Sequence, residues 1–221
     1  MSEPTTNYDG LFDEGMWAEL DNALLNLPTP VELLMYGFED ASEGEGETAV
    51  LCQALAHRYD KISYKRRPRR KSYSFYPVLA INGVQDGNRV EYNIRIIGWP
   101  SGYQVTSLIS AIQVVSLQGL TVDPMVRAQL RKLTREVQFE LLTDAEDEGG
   151  VLVAKQLFGM AVENEHVKVY VVMVDQFSDA IVRYSVNSLP HLVINGRVHL
   201  EGIPDDKTLI KHMAMAITHT N

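Results

Sequence analysis

Pro190-His191-Leu192-Val193-Ile194-Asn195-Gly196 reads as a strand entered through a proline and left through an Asn-Gly turn. Pro77-Val78-Leu79-Ala80-Ile81-Asn82-Gly83 spells the same pattern, P-x-L-x-I-N-G. Asn-Gly between apolar runs signals a tight hairpin turn, because both central residues of a type I′ turn need positive φ. Each copy is therefore expected to start a hairpin that turns at its own Asn-Gly. A second strand and a Gly-x-Pro entry to a helix follow in both places, as Gly98-Trp99-Pro100 and Gly202-Ile203-Pro204. The copies stand half a chain apart, so the sequence reads as a duplicated unit.

Working outward, the spacing predicts a helix over 14–27, where Met16, Trp17, Leu20, Leu24 and Leu27 recur behind Asp13 as N-cap. A strand over 31–36, an acidic loop over 39–47, a helix through Val50, Leu51, Ala54 and Leu55, and a strand over 61–64 precede the first hairpin. Residues 107–117 close the half as a helix. The second half repeats the order. Asp123-Pro124 starts a helix, 137–142 is a strand, 143–150 an acidic loop and 151–160 a helix. The run 167–174 is apolar enough for a central strand buried on both faces. Helices over 176–184 and 207–217 flank the second hairpin. The expected division is a flexible leader 1–13, a first domain 14–118 and a second domain 119–221, joined near 118–122.

The chain of 221 residues is 45% hydrophobic and 22% charged, ordinary for a globular protein with two cores. No apolar run approaches the roughly 20 residues that span a bilayer. With 29 acidic against 20 basic residues, the net charge of −9 opposes nonspecific attraction to nucleic acid or anionic lipid. A lone cysteine, Cys52, excludes an internal disulfide, and Met1-Ser2-Glu3-Pro4 lacks signal-peptide character. The expected compartment is the cytoplasm.

The αβαβ(α)ββα order with a proline opening the third strand resembles the thioredoxin fold, in which that proline is cis and lies beside the active-site loop. The residues from Gly98 to Leu108 read G-W-P-S-G-Y-Q-V-T-S-L. They resemble the G-x-P-x-G-x-E-x-T-S-L junction of two tandem relatives, with Tyr103 and Gln104 standing where His-Glu is usual. Those relatives are the N-terminal domain of the alkyl hydroperoxide reductase flavoprotein subunit and the protein disulfide oxidoreductases of thermophiles. The resemblance runs from about residue 14 to 215. It implies an α/β fold of two tandem thioredoxin-like domains, each a mixed central sheet flanked by helices, with cis bonds before Pro77 and Pro190.

The chemistry of those relatives is not carried over. Their C-x-x-C lies at the start of the helix after the first strand, where the helix N-terminus stabilises a thiolate. In the second half the two positions fall near Asp147 and Gly150; the first half has 38–47 at the equivalent place, also without cysteine. Dithiol exchange requires thiolates, so the chain alone is not expected to catalyse it. No cofactor and no metal site is expected. The acidic loops read as helix-start acids favoured by the helix dipole, and neither matches a calcium loop.

Three readings of function follow. The leading one is a redox-inactive protein that binds a protein partner, as scaffold or regulatory subunit, through a groove formed by Asp144, Glu146, Asp147, Glu148, Leu189, Pro190 and His191. A second is a thiol–disulfide oxidoreductase or peroxide-defence component working through Cys52 or a partner's cysteines. Cys52 also fits a plain buried core thiol. A third is polyanion or nucleic-acid binding through Lys65, Arg66, Arg67, Arg69, Arg70 and Lys71, which Tyr64, Tyr73, Phe75 and Tyr76 flank as stacking residues do. A solvated loop drawn to acidic surface is the plainer account of that run. With a two-residue turn at Asn195-Gly196, Leu192 faces His199 and the two histidines His191 and His199 point to opposite faces. They are then unable to share an ion.

Overall fold

The structure, a computed structural model, describes residues 8, 10–38, 41–119 and 121–218. Helix α1 (Glu14–Leu24) begins where the Asp13 carboxylate accepts the Met16 N–H at 2.8 Å, and it buries Trp17, Leu20 and Leu24 as one stripe. It is followed by β1 (Val31–Tyr36), α2 (Glu43–Arg58), β2 (Ile62–Arg67), β3 (Val78–Gln85), β4 (Asn88–Ile97) and α3 (Gln104–Ser116). The second half runs α4 (Pro124–Leu130), β5 (Val137–Thr143), α5 (Glu148–Glu163), β6 (Val167–Met173), α6 (Ser178–Tyr184), β7 (His191–Ile194), β8 (Val198–Glu201) and α7 (Asp206–Thr218). A single 3-10 turn, Val174–Gln176, links β6 to α6.

The eight strands form one mixed sheet in the order β2-β1-β3-β4-β6-β5-β7-β8. Each half contributes a parallel pair followed by two antiparallel pairings, and β4 joins β6 in parallel from Ile94–Val169 to Ile97–Val172. The duplication is thus a head-to-tail repeat inside a continuous sheet. All helices except α6 contribute to the larger core, which contains Leu33, Leu55, Ile81, Ile112, Phe139, Leu157 and Val169. Leu34, Tyr36, Val78, Ile97, Leu142 and Val172 point the other way and are covered by α6, the loops around it and the loop 68–77. For that reason β6 is not sealed on both faces as its composition suggests: Lys168 and Tyr170 are half-buried on the less covered side.

The peptide bonds Tyr76-Pro77 and Leu189-Pro190 are both cis. The first turn, however, differs from expectation. Asn82 and Gly83 lie inside β3, with a register irregularity at Ile81/Asn82, and the chain reverses at Asp86-Gly87, with φ of 49° and 76°. Pairing with β1 extends as far as Gly83, opposite Val31, and carries the strand past the first of two turn-forming dipeptides. The second turn does use Asn195-Gly196, with φ of 51° and 66°, but Arg197 adds a third residue before β8. The one-residue shift sets Val193 against His199 and His191 against Glu201, so the two histidines share one face of the sheet. The opposite-face expectation is therefore corrected.

Candidate functional site

Both repeats bring four equivalent residues in front of the cis-proline. Ser42-Glu43-Gly44-Glu45 opens α2 and Asp147-Glu148-Gly149-Gly150 opens α5. A Cβ on Gly44 would stand 3.9 Å from Cδ of Pro77, and one on Gly149 would stand 3.1 Å from Cδ of Pro190. Each proline carbonyl accepts from the glycine after the hairpin: Gly98 N–H at 2.8 Å, Gly202 N–H at 2.9 Å. Ser42-x-x-Glu45 and Asp147-x-x-Gly150 hold the two places where a C-x-x-C would lie.

Both places have been refilled by helix-capping chemistry. Ser42 Oγ accepts the Glu45 N–H at 3.3 Å and donates to Glu45 Oε1 at 3.2 Å, a capping box closed by side chains. Asp147 accepts the Gly150 N–H at 3.0 Å and the Thr143 hydroxyl at 2.8 Å. A Cβ at Gly150 would overlap Oγ1 of Thr143 and crowd the Asp147 carboxylate, so a side chain there requires those two residues to shift.

Loop 143–147 is held from the first repeat. The fully buried Gln104 places its amide nitrogen 3.0 Å from Thr143 Oγ1, 3.0 Å from the Asp144 carbonyl and 2.8 Å from the Asp147 carbonyl. Its oxygen accepts from Ser107 Oγ at 2.7 Å. All three neighbours of the nitrogen are acceptors here, so this position needs the donor that glutamine has and ionised glutamate lacks. Next to it, Gln176 pairs with both backbone groups of Trp99, at 2.8 and 2.7 Å.

The grooves differ in what covers them. In the first, Glu45 is fully buried and accepts the Phe38 N–H at 2.6 Å, while the Arg69 guanidinium forks onto both its carboxylate oxygens. Arg69 also lies 5.0 Å over the Tyr76 ring, and Arg70 4.3 Å over the Tyr36 ring. The Tyr76 hydroxyl donates to the Arg70 carbonyl, and Phe75 stacks on Phe177 at 4.7 Å. Loop 68–76 is thereby folded across the first groove. All six cations of the basic run are solvent-exposed, and three of them are engaged within the fold: Lys65 pairs with Glu32 at 2.6 Å, Arg69 is bound to Glu45 and Arg70 sits on Tyr36. The flanking aromatics Tyr73, Phe75 and Tyr76 pack inward.

Among the described residues the second groove has no such ion-paired occupant. Glu146 and Glu148 are exposed, Asp144 and Asp147 half-buried, and among the described residues no ion pair reaches any of them. Asp175, beside them, has its carboxyl pushed above the usual range by burial and by the charge of Asp144. Leu189 is half-buried, whereas Pro190 and His191 are buried. The structure sets the start of α5, through Gly149, against Pro190. It adds Gln104, Thr143 and Ile203, which sequence reading missed; an exposed apolar residue in Gly-x-Pro was the one available signal for Ile203.

Cys52 is fully buried in α2, and burial pushes its thiol far above the ordinary range. It is expected to resist a bulky thiol reagent in the native protein and to react rapidly once denatured, with Cys52→Ala costing about 1 kcal/mol. Rapid native labelling would instead restore the thiol-enzyme reading. No described helix is long and apolar enough to cross a membrane.

This architecture is that of a tandem thioredoxin-like α/β protein without the paired cysteines. A family model described as Thioredoxin domain matches residues 153–214. No curated protein matches. Among solved structures, the chain is similar to the NTD_N/C domain of alkylhydroperoxide reductase AhpF from Enterococcus faecalis. That pair is 20% identical, covers 91% of this chain and 99% of that one, and has a TM-score of 0.81. A protein disulfide oxidoreductase from Aeropyrum pernix is similar at 16% identity, over 95% of each chain, with a TM-score of 0.79. At these identities the likeness establishes the fold.

Proposed function

We propose that this protein is a redox-inactive, cytoplasmic binding module built of domains 14–118 and 119–221, and that its second groove receives an extended segment of a protein partner carrying arginine or lysine. The observation that carries the reading is the first groove, where Arg69 of the protein's own loop lies on the helix-start acid Glu45 in front of Pro77. The duplicated groove presents helix-start acids in front of Pro190, and among the described residues no ion pair to an arginine reaches them. A peptide lying along the strand-entry backbone at Leu189 gains main-chain bonds there, and the acids select its charge. The refilled cysteine positions and the buried Cys52 argue against the thiol-enzyme alternative. Engagement of Lys65, Arg69 and Arg70 within the fold argues against the polyanion alternative.

Asp147 caps α5, so the informative substitution is Glu146→Ala with Glu148→Ala, which leaves that cap in place. Stopped-flow binding of extended peptides that differ only in bearing arginine, lysine or glutamine at the centre tests the reading. The cationic peptides are expected to bind with association rates that fall as salt rises, and the double variant to slow them roughly tenfold at low salt. Equal binding of the glutamine peptide, or unchanged rates in the double variant, would reject the acidic groove as the interface.

A further inference from the structure

The shifted register of the second hairpin creates a site that the amino-acid pattern concealed. His191 Nε2 and His199 Nδ1 face each other at 2.9 Å, with ring planes inclined at 72°. His191 is 3% exposed, its position held by pairing to both Leu142 and Glu201, while His199 is exposed on the edge strand β8. The other nitrogen of His191, Nδ1, is buried without a hydrogen-bond partner among the described residues. Two imidazole nitrogens bound at about 2.0–2.1 Å to one ion stand roughly 2.8–3.4 Å apart for bond angles between right and tetrahedral. The observed 2.9 Å lies near the short end of that range.

We propose that His191 and His199 chelate a divalent transition-metal ion of the zinc and copper class, with Glu201 on the same hairpin face as the neighbouring carboxylate. Imidazole nitrogen suits this class and excludes magnesium and calcium, which take oxygen ligands. Among the described residues no three metal-binding side chains converge on one point, so the protein supplies two ligands as it stands. Water, or Glu201 after a side-chain rotation, completes the coordination. The one proton now shared between the facing nitrogens moves to the outer nitrogen of its ring, so a neutral pair takes up the ion with no net proton release. The site lies immediately after Pro190 but does not depend on the groove binding any peptide.

The test is calorimetric titration of the full-length protein with Zn2+, with Cu2+ added in a second arm and followed by electron paramagnetic resonance. One ion is expected to bind with micromolar affinity, and the copper spectrum to show coupling to two imidazole nitrogens. His199→Gln removes an exposed ligand without disturbing the core and is expected to weaken binding by more than about tenfold. Glu201→Gln is expected to weaken it less. His191→Ala is read only if its circular dichroism spectrum matches that of the parent. Absence of binding by the parent, or equal binding by His199→Gln through histidines elsewhere such as His57, His166 or His212, would overturn the proposal.

Discussion

Gln104→Glu is expected to destabilise the protein by about 3 kcal/mol, the cost of a buried charge that keeps one donor, Ser107, and otherwise meets acceptors. The side chain is fully buried, and its nitrogen is within 3.0 Å of a hydroxyl oxygen and two backbone carbonyls. Glutamate is the residue found here in the relatives that the junction resembles, so the swap tests whether its environment has changed. In this chain a carboxylate would confront three acceptors, and Asp147, which stands at one vacated cysteine place, holds its own charge close by. For a chain of this length the cost corresponds to a fall in Tm of roughly 6–12 °C. Gln104→Met, nearly equal in volume, leaves the same acceptors unpaired but adds no charge and should cost less. Equal melting temperatures for Gln104→Glu and the parent would show that the loop accommodates a carboxylate, and that Gln104 is not what holds residues 143–147.

Arg69→Ala is expected to cost about 2 kcal/mol. Removing one partner of a fully buried ion pair costs about 3–5 kcal/mol. The Arg69 side chain is 41% exposed and Glu45 keeps bonds from Phe38 and Ser42, so water screening and those bonds reduce the loss. The substitution should also free loop 68–76, seen as faster amide hydrogen exchange there and at Phe38 while the β5–β6 core is unchanged. Arg69→Lys keeps the charge but not the fork and should recover only part of the stability. A double-mutant cycle with Glu45→Gln isolates the pair: coupling near zero would mean that the loop is held by its aromatic contacts instead.

The sequence by itself determined the duplication, the proline-entered strands and the loss of both thiol pairs, because each is written in local residue chemistry. Proline restricts its own φ, Asn-Gly and Asp-Gly supply positive φ, and a residue that is not cysteine cannot become a thiolate. Asp13 and Asp123 were legible as caps for the same reason, since a cap is satisfied within three residues of itself. Of the candidate site, Asp147 and Gly150 were found by counting and the loop's acids read as helix-start acids, but the crowding of Gly150 by Thr143 was not legible.

Long-range pairing settles the choices between locally equivalent alternatives. Asn82-Gly83 and Asp86-Gly87 can both turn, and the ladder to β1 selects the second. Arg197 can belong to strand or loop, and its place in the loop shifts the register by one residue, which moves a side chain to the other face of the sheet. That shift brings His191 to His199. The basic run is the plainest case: composition shows six cations, whereas pairing across the fold commits Lys65 to Glu32, Arg69 to Glu45 and Arg70 to Tyr36. Side-chain charge is a property of a residue, but the partner it meets is chosen by packing summed over the whole sheet, between residues that the sequence holds far apart.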